Sequence, residues 1–241
     1  NWLAAWPKGL RRLAGKAYSA VKPGITARKQ AEILAGHYFD VAHTYPVSRQ
    51  MFLRSDLQRM LTSEVPLRND VFSWLVKELA PGKKAFGLPF LSQVSLAEMR
   101  TYMGHTLLRD ADQFSMAHAL EVRVPFLDHR LVAAALAAPD ADKFPSSPKR
   151  LLVESLDGLL PDDVVNRPKM GFVLPWELWM RGELKPVCER GLQSLKDRAW
   201  VQSDAVAAME RSFMAGETKW SWSRVWSLVV LGEYLERHGL E

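Results

Sequence analysis

At 241 residues, 48% of them hydrophobic and 24% charged, the chain can bury a sizeable core as one large domain or two small ones. No apolar run approaches the roughly 18 residues of a spanning helix, and the start NWLAAWPKGLRRLAGK puts its charges after its apolar residues, the reverse of a secretory signal. The one cysteine, Cys188, rules out an internal disulfide framework and fits a reducing compartment, so a cytoplasmic protein without membrane association is expected.

The net charge of +5 is unevenly spread: Lys8, Arg11, Arg12, Lys16, Lys22, Arg28 and Lys29 all precede the first acid, Glu32. A basic amphipathic start suits a nucleic acid or a membrane surface, and it equally suits a solvated helix face. Leu3, Trp6, Leu10 and Leu13 form an apolar stripe able to dock on the rest of the protein. No aromatic-interleaved recognition module accompanies it, so nucleic acid is not an expected partner.

Residues 27–45 and 48–62 each have the spacing of a helix, the second with Met51, Leu53, Leu57, Met60 and Leu61 inward. Val71 to Leu79 forms a third, stopped by Pro81-Gly82. The Gly/Pro/Lys-rich stretch from Pro81 to Pro89 is the best internal boundary, dividing a segment 1–80 from a region 81–241. Ser95 with Glu98 has the pattern of a capping box, worth about 1 kcal/mol, and Gly104 is expected to interrupt the helix it opens.

The stretch LLRDADQFSMAHALEVRVPFLDHRL, from Leu107 to Leu131, organises the middle of the chain. Leu107, Ala111, Phe114 and Ala117/His118 recur at helical spacing; then Val122, Val124 and Pro125 force an extended corner. Asp128 is placed to cap a second helix from His129 to Pro139. Glu121, Arg123 and Asp128 therefore gather at one bend, either as a structural ion pair or as a polar site.

Beyond it, Ser147-Pro148 opens a helix over KRLLVESL, and Pro161, Pro168 and Pro175 cut the next segment into short pieces. Pro175 starts WELWMRG, Ser203 starts a helix that ends at Gly216, and a last helix carries Trp222, Val225, Trp226, Val229, Val230 and Leu235 inward. With at most a few short extended pieces, the class is mainly α. Lys169 lies in a Pro-Lys-Met-Gly loop, between a residue that stiffens the chain and one that lets backbone approach a ligand. On its own it reads either as an exposed loop lysine or as a binding residue. His37 and His43 are six apart, off one helix face, and His105, His118 and His129 lack paired ligand spacing, so no metal site is expected.

SMAHALEVRVPFLDHRLV, Lys149 in PKRLL, and GLLPDDVVNRPKMGF together resemble the synthetase domain of asparagine synthetases, shared with the related β-lactam and carbapenam synthetases. The resemblance is clear from about Tyr102 to Gly182, weaker through the tryptophan-rich end and faint before Leu88. It implies the helical C-terminal portion of an adenine-nucleotide α-hydrolase-like domain, here without the parallel sheet that binds nucleotide. It further implies an enzyme that adenylates a side-chain carboxylate with MgATP, the adenylate then being attacked by ammonia or an internal amine. In the family the lysine matching Lys169 reaches the phosphates of the acyl-adenylate, where its charge stabilises the departing pyrophosphate. Glu121 matches the acidic half of a Tyr–Glu proton-accepting pair in the β-lactam-forming relatives, and no residue here matches the tyrosine. Arg123 matches an arginine of the same signature and is equally suited to pairing with Glu121. Asp112 and Lys149 match a family acid and a basic residue, and read as structure or site alike.

Two departures bear on the phosphate side. Gln113 stands where the family usually has lysine or arginine, and Val173 stands where a glycine is common. The Ser-Gly-Gly-x-Asp-Ser pyrophosphate loop and an N-terminal cysteine nucleophile do not occur in these residues. The expectation is therefore a segment of an amide-forming ligase that is incomplete alone. It would hold no cofactor of its own, ATP and Mg belonging to the intact enzyme. Its partners would be an aspartate-like carboxylate with ammonia or an amine, and either a second copy of the chain or an upstream nucleotide-binding half. The alternative is a non-catalytic helical interaction module derived from that domain.

Overall fold

A computed structural model describes residues 5–22, 24–79, 83–143, 149–168, 170–171 and 173–240. In chain order the helices are α1 (Lys8–Val21), α2 (Ile25–Ala35), α3 (Val41–Arg49), α4 (Arg54–Met60), α5 (Asp70–Glu78) and α6 (Phe90–Glu98). π-helical turns over Met99–Leu107 run on into α7 (Leu108–Met116), followed by α8 (His129–Ala137), α9 (Asp140–Lys143), α10 (Arg150–Ser155) and α11 (Asp162–Val165). The chain ends with α12 (Trp176–Arg181), α13 (Lys185–Lys196), α14 (Ser203–Met214) and α15 (Trp222–Arg237). Among the described residues the one β pairing is an isolated antiparallel bridge between Leu61 and Val201. The mainly-α class stands, with no parallel sheet among these residues.

The chain divides into two compact units that interleave in sequence. One comprises residues 1–11, 35–48 and 69–170, the other residues 12–34, 49–68 and 171–241. The boundary expected at residues 80 and 81 falls inside the first unit's range.

The first unit centres on Val41, Ala42, Tyr45, Leu75, Leu79 and Ala97. Tyr45 brings its hydroxyl 2.8 Å from Thr101 Oγ1, which donates in turn to the Ala97 carbonyl at 2.6 Å, so this polar pair enters the core satisfied. Helix α6 has no side-chain cap from its own sequence. Instead the Asp140 carboxylate, at the start of α9, accepts from Leu91 N at 3.2 Å. Ser95 is thus interior to α6 and donates back to the Leu91 carbonyl at 2.9 Å, so the capping box expected there does not form. Gly104 does not break the helix either. A Cβ on it would sit 2.9 Å from the carbonyl of Met99, five residues back, and its absence accommodates the wide π-helical turn.

The single helix expected over 27–45 is two, because Gly36 through Asp40 are not helical. Arg11 takes the Gly36 carbonyl at 2.7 Å, and Asp40 accepts from His43 N at 2.9 Å, opening α3. Residues 48–62 are likewise split, with Leu53 ahead of α4. The apolar stripe of the N-terminus does not dock: Trp6, Leu10 and Leu13 are exposed, and Leu3 lies outside the described residues. Helix α1 buries Arg11 and Gly15 instead. Met51 and Val230, expected inward, are exposed as well.

The second unit is built on the crossing of α13 and α15, around Met180, Cys188, Leu192, Met209, Phe213, Val225 and Val229. A Cβ on Gly191 would lie 2.6 Å from the Val229 carbonyl, and one on Gly232 would overlap the Gly191 carbonyl. Two helices meet here backbone to backbone. Trp176 stacks on Trp222 at 5.4 Å and 11°, and lies 5.3 Å from Trp226, which ties α12 to the same helix. Helix α13 itself was not expected from the sequence.

Because that crossing has no room for a side chain, Gly191→Ala should destabilise the chain by about 2–3 kcal/mol. Gly9→Ala, on a helix with nothing within 4 Å, should be neutral or slightly stabilising. Urea unfolding of the two variants beside the parent checks both directions.

Candidate functional site

The signature corner sits in the first unit. Helix α7 ends at Met116, and Ala119, at φ 56°, turns the chain in the left-handed region while Leu120 N donates to the Ser115 carbonyl at 3.0 Å. An alanine there carries strain that glycine would not. Residues 121–124 then run without helix or strand. Arg123 and Glu121 pair there at 2.6 Å, with their side chains 84% and 71% exposed. The 3-10 turn Pro125–Leu127 closes the corner, and Asp128 accepts from Arg130 N at 2.8 Å to cap α8, as its position predicted. Asp128 is spent on the helix; the charge pair of the corner is Glu121 with Arg123.

The other candidates are scattered along the chain. Asp112 is exposed on α7, and Lys149 precedes α10 at φ 65° with its carbonyl accepting from Val153 N at 3.0 Å. Among the described residues no hydrogen bond or ion pair joins either of them to the corner. The Ser147-Pro148 helix start and Lys169 lie outside the described residues. Among the described residues no cluster of three His, Cys, Asp or Glu side chains is placed to hold a metal. No Ser-Gly-Gly occurs in the sequence.

The apolar side chains around the corner are uncovered. Phe114 is 74% exposed and Phe126 61%, and Leu107, Met116, Leu120, Val122 and Val124 are exposed too. Beside them Met99, Met103, Phe126, Leu131, Leu151 and Leu152 line an apolar groove of about 700 Å³. The helical spacing marked Leu107 and Phe114 for burial, and the structure leaves both exposed.

A second cavity, of about 980 Å³, was not foreseen. It belongs to the other unit, and Arg28, Arg59, Lys219 and Arg224 contribute to its wall. Arg28 and Arg59 each reach one oxygen of the buried Asp56 at 2.6 Å. Burial pushes the Asp56 carboxyl up, but the hydrogen bonds from Arg28, Arg59 and Leu53 N, with the charge of Arg28, outweigh it and hold the group below the usual carboxylate range. Burial, then the charge of Arg28, lowers Arg224 against the pull of Asp56, and Lys29 is lowered by burial, Arg224 and Arg49. Burial, with Glu210 and Glu189 nearby, pushes the Cys188 thiol up, which leaves it an inert core residue. Residues 28, 59 and 224 are far apart in sequence, so no local pattern could have signalled this cluster.

The model of the asparagine synthase family matches residues 14–236. The chain belongs to that family, and the match takes in the N-terminal helices, where the resemblance is faint, and the tryptophan-rich end, where it is weaker. A putative glutamine-hydrolyzing asparagine synthetase of Mycobacterium bovis is 27% identical over 228 residues, 93% of this chain and 33% of that protein. Glutamine-hydrolyzing asparagine synthetase 1 of Bacillus subtilis is 28% identical over 141 residues, 58% of this chain and 22% of that protein. The rat (Rattus norvegicus) enzyme of the same name is 42% identical over 66 residues, 26% of this chain and 12% of its own length. The chain thus spans between about a fifth and a third of the first two relatives. No solved structure matches. Among the described residues no helix is long and apolar enough to cross a membrane.

Asp56 gives the site's clearest pH signature. Its folded-state pKa is depressed, so its contribution is fully present above the unfolded value near 3.8 and is lost as pH falls through the lower folded value. Asp56→Asn should cost about 2–4 kcal/mol at neutral pH, because Arg28 and Arg59 lose a shared buried partner. It should also flatten the acid limb of stability below about pH 4. Denaturant melts of parent and variant between neutral and acid pH measure both effects.

Proposed function

We propose that these residues form the helical side of the synthetase site of an ATP-dependent, amide-forming ligase in the cytoplasm. A side-chain carboxylate, aspartate-like, attacks the α-phosphorus of ATP and pyrophosphate leaves. Ammonia or an amine then attacks the acyl carbon, AMP leaves with the bonding pair, and the surplus proton passes to a base. The family match over residues 14–236 carries this reading. The signature corner, with Glu121 paired to Arg123 at 2.6 Å, supports it.

Within that site Lys169 supplies positive charge to the phosphate side, Glu121 accepts the proton of the incoming amine, and Arg123 orients Glu121. Arg123, Asp112 and Lys149 remain candidates for the substrate or phosphate side. The triphosphate is held by residues other than these 241, so the chain on its own does not turn over. With ATP, Mg, aspartate and ammonia it should release no more pyrophosphate than its Lys169→Ala variant. In the active enzyme Lys169→Ala should lower kcat roughly a hundredfold with an unchanged melting temperature, the size of losing one focused charge. Equal activity of variant and parent would make Lys169 an ordinary loop lysine.

A non-catalytic interaction module is the second reading, and Gln113 and Val173 on the phosphate side favour it. Both readings require the open face around Phe114 and Phe126 to be covered, by a nucleotide-binding half or by a second copy of the chain. Burying each large side chain there gains about 1.5–3 kcal/mol, enough in sum to offset association. Light scattering on the isolated chain at micromolar concentration should therefore give a two-fold dimer. A monomer with no dye-detectable apolar surface would contradict an open face.

A further inference from the structure

The cavity of the second unit has the chemistry of an anion site. Its wall carries Arg28, Arg59, Lys219 and Arg224 against one carboxylate, Glu217, which already accepts from Ser212 at 2.6 Å. Asp56 neutralises one charge of the Arg28–Arg59 pair from below. The remaining balance is two positive charges, and Ser55 and Ser221 add hydroxyls to the same wall.

Two features of the helices point the same way. Gly24 and Ile25, at the start of α2, and Ser221, at the start of α15, line the cavity, so two positive helix ends face it. Neither helix has an acid in its first turn. Each carries an arginine there, Arg28 in α2 and Arg224 in α15, where the dipole disfavours a cation. Arg224 is 5% exposed, and among the described residues its guanidinium makes no hydrogen bond or ion pair. It lies 5.8 Å over the Trp220 ring and forms part of the cavity wall. A bound oxyanion gives this guanidinium, which already feels the charge of Asp56, a direct acceptor in the cavity.

We propose that this cavity binds a doubly charged phosphate group, free or as a small phosphate ester, held by Arg224, Arg59 and Lys219 with the hydroxyls of Ser55 and Ser221. None of these residues belongs to the signature block, so the proposal goes beyond the amide-forming reading and does not depend on it.

Isothermal titration of the 241-residue chain with inorganic phosphate, pyrophosphate and succinate tests it. Phosphate and pyrophosphate should bind saturably, with Kd below about 1 mM at low salt, weakening as salt rises. Lys219→Gln, on the exposed rim, should weaken binding severalfold, and Arg224→Gln, checked for an intact thermal transition, more than tenfold. If Arg224→Gln does not fold, the Lys219 variant alone decides. No saturable binding up to about 10 mM, or equal affinity in parent and Lys219→Gln, overturns the site. Succinate binding as tightly as pyrophosphate overturns the phosphate assignment.

Discussion

The contact between Gly191 and Gly232 is the constraint on which the second unit depends. With no Cβ on either, α13 and α15 approach until one backbone touches the other. That approach seals Cys188, Leu192, Val225 and Val229 into one core. The start of α15 then carries Trp222 onto Trp176 and puts Arg224 into the wall of the charged cavity. Packing and electrostatics are therefore coupled through one helix. A shift of α15 would disturb the aromatic stack and the arginine cluster together.

The first unit follows the opposite logic around its signature. Its core lies near Tyr45, Leu75 and Ala97, while the corner at 117–128 is held by local devices: a left-handed Ala119, an exposed ion pair and the Asp128 cap. Exposed pairs contribute little to stability, commonly under about 1 kcal/mol, so Glu121 and Arg123 are not explained by folding alone. Strain at Ala119 adds to the cost. Features that cost stability and sit together in a family signature are what a site kept for recognition or chemistry looks like. This supports the amide-forming reading more than a purely structural one.

Local signals were legible in the sequence, and distant ones were not. Asp128 one residue ahead of His129, Pro175 ahead of α12, and Gly216 after α14 each act within a few residues, and each of these element edges was read correctly. Ser95 and Glu98 imitated a helix start because the true cap of α6 is Asp140, far along the chain. Helix α13 was hidden by Gly191, a poor helix former whose reason for being there is Gly232 on another helix. The leucine stripe of α1 looked like the docking face, yet Arg11 is the buried residue because Trp6 and Gly36 carbonyls and the Phe39 ring receive it. Of the candidate site, the Glu121–Arg123 pair was foreseen, while the arginine cavity required a fold to assemble it.

The central claim is that tight packing resides at the glycine crossing and that the signature corner is an open face of the chain. Amide hydrogen exchange resolved along the sequence tests this most directly. In chain diluted until it is monomeric, amides of residues 188–195 and 225–232 should exchange slowest, while those of 121–124, whose N–H groups donate no backbone hydrogen bond among the described residues, should exchange at nearly unprotected rates. Protection at 121–124 equal to that of α13 and α15 would contradict the account.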